Sequence, residues 1–307
     1  MSNALRILVV GADGQLGSEF ASAPDYLDAE LLRLNRTALD ITDAQAVRMA
    51  VADVNPTAIV NAAAYTAVDR AEAEVDVAYN VNQLGAKNLA IACRDCGVYL
   101  IHPSTDYVFD GCKDGAYSET DSTHPMGVYG ASKLAGENEI RKLLPEHLIL
   151  RVSWVFGAYG NNFVKTMLRV GAERDTLGVV MDQIGAPTSA ASIARACWAI
   201  VKRIQKGGAP VSGTFHYSGA PTVSWFEFAQ EIFYQAVQKG LLDRAPRVNA
   251  ITTAEFPMEA PRPANSQLDS ARFEREFGVP PSSWKVELSA VLDALVASTS
   301  RVADLPQ

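Results

Sequence analysis

Gly11-Ala12-Asp13-Gly14-Gln15-Leu16-Gly17 follows the apolar run Leu5–Val10 without an intervening residue. The run is too short for a signal peptide and reads as a first β-strand. The glycine spacing is G-x-x-G-x-x-G, not the commoner G-x-G-x-x-G. Glycine lets the backbone turn sharply and approach a pyrophosphate closely, and a helix N-terminus beyond the turn offers amides and a favourable dipole. A helix is expected over residues 15–23, so Gly11, Gly14 and Gly17 sit where a strand–turn–helix dinucleotide site needs them.

Working outward, short β-branched runs alternate with longer helical patterns. Strands are expected over 6–10, 30–34, 58–62, 99–103 and 148–152, and helices over 15–23, 44–54, 71–96 and 129–144. That alternation predicts an α/β fold, a Rossmann-type doubly wound parallel sheet with helices on both faces. The strands read as nearly continuous apolar runs, as burial on two sides requires. After Val152 the rhythm changes, and Gly and Pro become more frequent from Gly207 onward. A smaller, discontinuous substrate domain is therefore expected over about 157–185 and 217–307, beside a nucleotide-binding domain of 1–156 plus about 186–216.

Tyr129 and Lys133 stand four apart at the start of the expected helix 129–144, one βα unit after Ser104-Thr105-Asp106. This spacing puts a phenol and an ammonium on one helix face, one turn apart. A free phenol titrates near 10, so a neighbouring cation is expected to bring it toward the range useful for proton transfer to a carbonyl receiving a hydride. The end of the second expected strand reads Asn35-Arg36, with no carboxylate before Asp40. A ribose 2′-hydroxyl calls for an acid there and a 2′-phosphate for a cation. NADPH is thus the expected cofactor, with NADH accepted and Arg36 near the phosphate. Arg36 as a solvated loop residue fits the same pattern equally well.

With 307 residues, 48% of them hydrophobic, and a formal charge of −8, the chain does not suit a general nucleic-acid or acidic-membrane partner. No stretch approaches the roughly 18 apolar residues of a membrane span, and a cytoplasmic enzyme is expected. Cys93 and Cys96 spell C-x-x-C, but they follow the helical pattern Asn88–Ala92. A redox pair of that spacing sits at a helix N-terminus, so a structural role is expected here. The four histidines lack metal-ligand spacing.

Together these motifs resemble the extended short-chain dehydrogenase/reductases, and among them the dTDP-4-dehydrorhamnose reductase family. The resemblance is carried by GADGQLG (11–17), NAAAYTAVDRAE (61–72), STDYVFDG (104–111), YGASKLAGE (129–137), RVSWVFG (151–157), GNNFVKTML (160–168) and RPANSQL (262–268), in the family's order over nearly the whole chain. It implies NAD(P)H-dependent reduction of the C4 keto group of a dTDP-bound 4-keto-6-deoxy sugar, in dTDP-rhamnose and cell-surface lipopolysaccharide biosynthesis. Carried over residue by residue, it implies that Gly14, Gln15 and Leu16 touch the pyrophosphate. Asn35, Arg36, Asp40 and Ile41 would border the adenosine side, and Ala64, Tyr65 and Thr66 would lie under the cofactor. Tyr129 would be the acid, Lys133 would hold the nicotinamide ribose, and Thr105 would bond the reacting oxygen. Asp106, Trp154, Asn162 and Arg262 would contact the substrate.

Other readings share the scaffold. A 4,6-dehydratase resembles the chain but needs an Asp-Glu pair after the threonine, and here Asp106 is followed by Tyr107. An epimerase would show no net cofactor turnover. The resemblance extends to the non-catalytic regulatory subunit of methionine adenosyltransferase, against which Tyr129, Lys133 and Thr105 are all intact. Some reductases of the family hold Mg²⁺ between carboxylates at a homodimer contact. Glu19 matches one such position, but the helix expected from Ser189 begins Ala190-Ala191-Ser192 and offers no acid, which argues against a shared metal.

Overall fold

The computed structural model describes residues 5–21, 23–207 and 211–303. The first apolar run forms β1 (Leu5–Val10), and β2 (Ala29–Leu34) lies parallel beside it. Then come α1 (Ala44–Val54) and β3 (Ala58–Asn61), which pairs with the other edge of β1. Helices α2 (Val68–Ala73), α3 (Val75–Tyr79) and α4 (Ala86–Cys96) lead to β4 (Tyr99–Thr105), and α5 (Val128–Leu143) leads to β5 (His147–Val152). The chain then runs through β6 (Val155–Phe156), α6 (Phe163–Glu173), β7 (Thr176–Val180), β8 (Ile184–Gly185), β9 (Thr188–Ser189) and α7 (Ala190–Gln205). It ends with β10 (Gly213–His216), β11 (Val223–Ser224), α8 (Trp225–Gln238), β12 (Arg247–Ile251), α9 (Ala271–Phe277) and α10 (Trp284–Ala303).

The main sheet has the order β10-β5-β4-β3-β1-β2, with every pairing parallel. The chain reverses direction of travel at β1, so a crevice opens between the C-terminal ends of β1 and β3. Alternation along the strands divides the core in two. Ile7, Val9, Val60, Ile101 and Leu150 face α7, whereas Leu8, Val10, Ile59, Leu100 and Ile149 face α1, α4 and α5. Both sets are buried, which explains the continuous apolar runs. Away from the sheet, α6, α8 and α10 close around Phe156, Val164, Phe228, Trp284 and Leu288. Among the described residues, no helix is long and apolar enough to cross a membrane.

Two expected helices are altered. The segment after the glycine turn makes only a three-residue 3₁₀ turn, Gly17–Glu19, in place of a helix over 15–23. Gly14, Gly17 and Ser18 have weak helix propensity, Pro24 bars continuation, and buried Phe20 anchors the segment against Trp198. The helix expected over 71–96 is broken into α2, α3, a π turn at Asn80–Gly85 and α4. Cys93 is buried in the last turn of α4, which ends at Cys96 before left-handed Gly97, and both thiols are free.

Phe228 has no exposed surface and touches Phe156, Phe163, Trp225 and Trp284. Phe228→Ala is expected to lower unfolding free energy by about 3–5 kcal/mol, read from the urea midpoint.

Candidate active site

The glycine turn leans on the strand next to it. Gly11 has φ +75°, and a Cβ on it would stand 2.5 Å from the Ala63 backbone nitrogen. A Cβ on Gly17 would stand 2.2 Å from the Gly11 carbonyl oxygen, so both positions are closed to any side chain. The Gly14 amide donates to the Gly11 carbonyl, and Arg33 on β2 donates from Nη2 to the Ala12 carbonyl at 2.9 Å. Gln15 packs against Gly160, and Leu16 against the core. The turn presents backbone and little else at the mouth of the crevice, and this concave shape fits a pyrophosphate.

The expected adenosine edge is built as follows. Asn35 donates to Asp13 at 2.8 Å and accepts from the Ala38 amide. Arg36 is 83% exposed, 3.9 Å from Asp40. Asp40 accepts from the amide and hydroxyl of Thr42, which hold its pKa below the usual carboxylate range. Ile41 is buried against Gly85. The Ala64–Thr66 loop is fixed by Asn82, whose Oδ1 accepts from the Tyr65 amide and whose Nδ2 donates to the Tyr65 carbonyl and to Ser132 Oγ. Asn82 lies in the π turn, so the break in that helix aims an amide at the loop. Tyr65 donates its hydroxyl to Glu74.

Tyr129 and Lys133 sit on α5, facing the C-terminal end of β4. The Thr105 hydroxyl bonds the Tyr129 phenol and lies 3.0 Å from Asp106 Oδ1. The Tyr107 ring meets Tyr129 edge-on, with centroids 5.4 Å apart. Burial pushes the Tyr129 pKa up to about 12; the Thr105 bond lowers it and the Asp106 charge raises it. This corrects the expectation of a phenol lowered by its cationic neighbour. Lys133 is 3% exposed, donates from Nζ to the Pro103 carbonyl at 2.8 Å, and is itself brought down to about 8 by burial.

Asp106 is 3% exposed, and burial raises its pKa to about 6 despite the nearby hydroxyls of Ser266 and Thr105. Its Oδ2 has no hydrogen-bond partner of good geometry. Arg262 donates to Asp69 at 2.7 Å and holds its guanidinium 5.8 Å from the Tyr107 ring centre, with Nη1 buried and unpartnered. Thr105, Asp106, Tyr107, Tyr129 and Arg262 thus form one cluster. Trp154, just past β5, has φ +47° and stacks on Trp225 with centroids 3.5 Å apart. A Cβ on Gly185 would stand 2.3 Å from the Trp154 ring, so glycine is what lets the indole lie against that strand. Asn162 is the N-cap of α6: Oδ1 accepts from the Lys165 amide and Nδ2 donates to the Gly157 carbonyl.

Glu19 is half-buried beside Arg195 and Glu287; burial raises its pKa, the Arg195 charge lowers it and the Glu287 charge raises it. Arg195 and Ser189 are both bonded to Glu287. Among the described residues of one chain, no three His, Cys, Asp or Glu side chains are grouped to hold a metal. Sequence reading missed Asn82, Ser132, Arg33 and Trp225. Ser132 lies inside the quoted segment YGASKLAGE but its partner does not, and Asn82, Arg33 and Trp225 lie in no quoted motif; each acts through contacts made across the fold.

The profile of the RmlD substrate binding domain family matches residues 5–297. A dTDP-4-dehydrorhamnose reductase of Aggregatibacter actinomycetemcomitans is 48% identical over 287 residues, 93% of this chain and 98% of that protein. A dTDP-4-dehydrorhamnose reductase structure from Clostridium acetobutylicum superposes with a TM-score of 0.87 at 38% identity, over 95% of this chain and all of that one. One from Bacillus anthracis, in complex with NADP, gives 0.85 at 37% identity, over 95% and 99% of the two chains.

Asp106 titrates higher folded than unfolded, so between about pH 4 and pH 6 the native state binds the extra proton and stability falls as pH rises. Asp106→Asn is therefore expected to raise the unfolding free energy at pH 7, by about 2–3 kcal/mol at most, with the gain vanishing below about pH 4. Denaturant titrations at the two pH values measure it.

Proposed function

The chain belongs to the RmlD substrate binding domain family, and on that premise we propose that it is a cytoplasmic NADPH-dependent dTDP-4-dehydrorhamnose reductase, reducing the C4 keto group of dTDP-4-dehydro-6-deoxy-L-mannose to give dTDP-L-rhamnose. The observation that carries the reading is the cluster of Tyr129, Thr105 and Lys133 at the C-terminal end of β4, on the same edge of the sheet as the glycine turn. We also take residues 1–156 plus about 186–216 as the nucleotide domain, with 157–185 and 217–307 as the substrate domain.

Gly11, Gly14, Gln15, Leu16 and Gly17 would hold the pyrophosphate, Ala64–Thr66 the cofactor's underside, and Lys133 the nicotinamide ribose. Arg36, with Asn35 beside it, is the cation available for a 2′-phosphate, which supports NADPH over NADH. Bound reduced nicotinamide supplies the hydride to the carbonyl carbon. The protein's own task is to orient the ketone and deliver a proton to its oxygen. A phenol near 12 remains protonated at neutral pH and so holds a proton to give to the sugar oxyanion. Reduction needs the protonated form at the start, so the raised value suits this direction. Thr105 offers a second hydrogen bond to the same oxygen, and Asp106, Trp154 and Arg262 surround the sugar. Tyr107 stands where elimination would need a carboxylate, and this favours reduction over dehydration. Lys133 is protonated below about pH 8, and ribose binding is expected to weaken above it.

Tyr129→Phe is expected to lower kcat by about 10²–10⁴-fold with little change in NADPH Kd. The assay follows net loss of reduced-nicotinamide absorbance with the dTDP-4-keto sugar made in situ, the product being identified by NMR; near-normal turnover in the variant overturns the reading. Arg36→Ala is expected to lower kcat/KM for NADPH and leave that for NADH unchanged. Equal effects on the two would remove Arg36 from the phosphate site.

A further inference from the structure

Below Tyr129, the same face of α5 carries Lys133, Glu137 and Arg141 at successive four-residue steps. Glu137 has no exposed surface. Its Oε1 accepts from Ser104 Oγ at 2.5 Å and Arg151 Nε at 3.0 Å, and its Oε2 from Arg151 Nη2 at 2.7 Å and Arg141 Nη2 at 2.5 Å. Ser104 follows Pro103, whose carbonyl holds the Lys133 ammonium, so one turn of strand β4 fixes both side chains. Burial pushes the Glu137 pKa up, but the bonds and charge of Arg151, with Arg141 and Ser104, more than offset this and keep it ionised.

The groups facing Lys133 from all sides can be counted by charge. On α5 they are Tyr129, Glu137 and Arg141; from β4 come His102 and Asp106; from β5 come His147 and Arg151, with His216 on β10 behind them. Burial drives all three histidines down: His102 is held neutral with Nδ1 against Asn61, His147 accordingly lies below its ordinary value, and His216 falls to about 3. The phenol is also neutral. Arg151 and Lys133 therefore share a buried region with Glu137 and, further toward Tyr129, Asp106, while Arg141 reaches Glu137 from the surface.

We propose that Glu137 is the positioning residue that keeps Lys133 a cation: its buried carboxylate, clamped between Ser104 and Arg151, supplies the counter-charge that Lys133 needs beneath Tyr129. It acts through Lys133 and does not touch substrate or nucleotide. The proposal rests on the reading of Lys133 as the cation beside Tyr129. Removing the carboxylate charge leaves Arg151, only 2% exposed, as an uncompensated cation behind Lys133. The ammonium then has burial and repulsion against it and nothing on α5 in its favour. Removing Arg141 instead takes away a cation and leaves Glu137 more negative toward Lys133.

The test titrates isotope-labelled lysine side chains by NMR in the full-length protein without ligands, the Lys133 resonance being assigned by its loss in Lys133→Met. Wild-type Lys133 is expected to titrate near about 8. Glu137→Gln is expected to lower that midpoint by about one pH unit or more, and Arg141→Gln to raise it. The alkaline limb of kcat/KM is expected to move in the same directions, which loss of packing alone would not produce. An unmoved Lys133 midpoint in folded Glu137→Gln, or movement in one direction by both variants, overturns the proposal. Should Glu137→Gln not fold, Arg141→Gln decides alone: its arginine is partly exposed, and absence of an upward shift is fatal. The titration uses no substrate, so a shifted Lys133 with an unshifted rate profile supports the charge role and counts against the assignment of Lys133 in the reaction.

Discussion

Glu137 ties together the three elements on which the candidate site stands. Its carboxylate takes donors from β4 through Ser104, from β5 through Arg151 and from α5 through Arg141. Parallel strands and the helix crossing over them can slide against one another on apolar contacts alone, because Leu, Ile and Val surfaces have little directional preference. A buried ion pair with four good hydrogen bonds has one geometry, and losing either partner leaves a charge in a dry place. The Thr105–Asp106 end of β4, the Tyr129–Lys133 face of α5 and the segment leading to Trp154 are thereby set in one register. His216, whose Nδ1 meets the Tyr117 carbonyl, extends the arrangement to β10.

The polar groups on the substrate side are treated differently. Asp106 keeps one oxygen without a partner, Arg262 keeps a buried nitrogen without one, and Trp154 holds a left-handed backbone. Each costs stability, and such costs gather where a protein must present groups to a ligand and cannot satisfy them internally. The contrast is physical: behind α5 the Glu137 carboxylate takes four donors, while in front of it donors and acceptors are left over. The neutral phenol of Tyr129 belongs to this second set, held protonated by burial and aimed by Thr105.

Much of this was legible in the residues, because the chemistry and its spacing are local. The glycine triplet after an apolar strand announced a close-approach turn, and Gly11 and Gly17 indeed leave no room for a side chain. Tyr129 and Lys133 announced a shared helix face. The same local logic failed at residues 15–23, where a helix was expected by analogy with other turns of this kind. Phe20 instead finds its burial against Trp198, from a helix some 180 positions away, and a single 3₁₀ turn delivers it there. It failed again at Tyr129, where the lysine neighbour was visible but the burial around both was not. In the structure burial dominates over the Thr105 bond, and the phenol rises where it was expected to fall. Asn162, quoted in a motif as a substrate contact, has its polar groups taken up in capping α6.

Composition, alternation and motif spacing by themselves determined a doubly wound parallel sheet, the close-packed glycine turn, and the helix face that carries the phenol and the ammonium. These follow from periodicity and from what glycine, tyrosine and lysine can do within a few residues of chain. Only the tertiary structure decided which charges those groups feel. Asn82 in its π turn, Trp225 against Trp154, Arg33 on the glycine turn and Glu137 between two arginines are brought in from distant parts of the sequence. Protonation states depend on distance and burial, and no spacing along the chain encodes either.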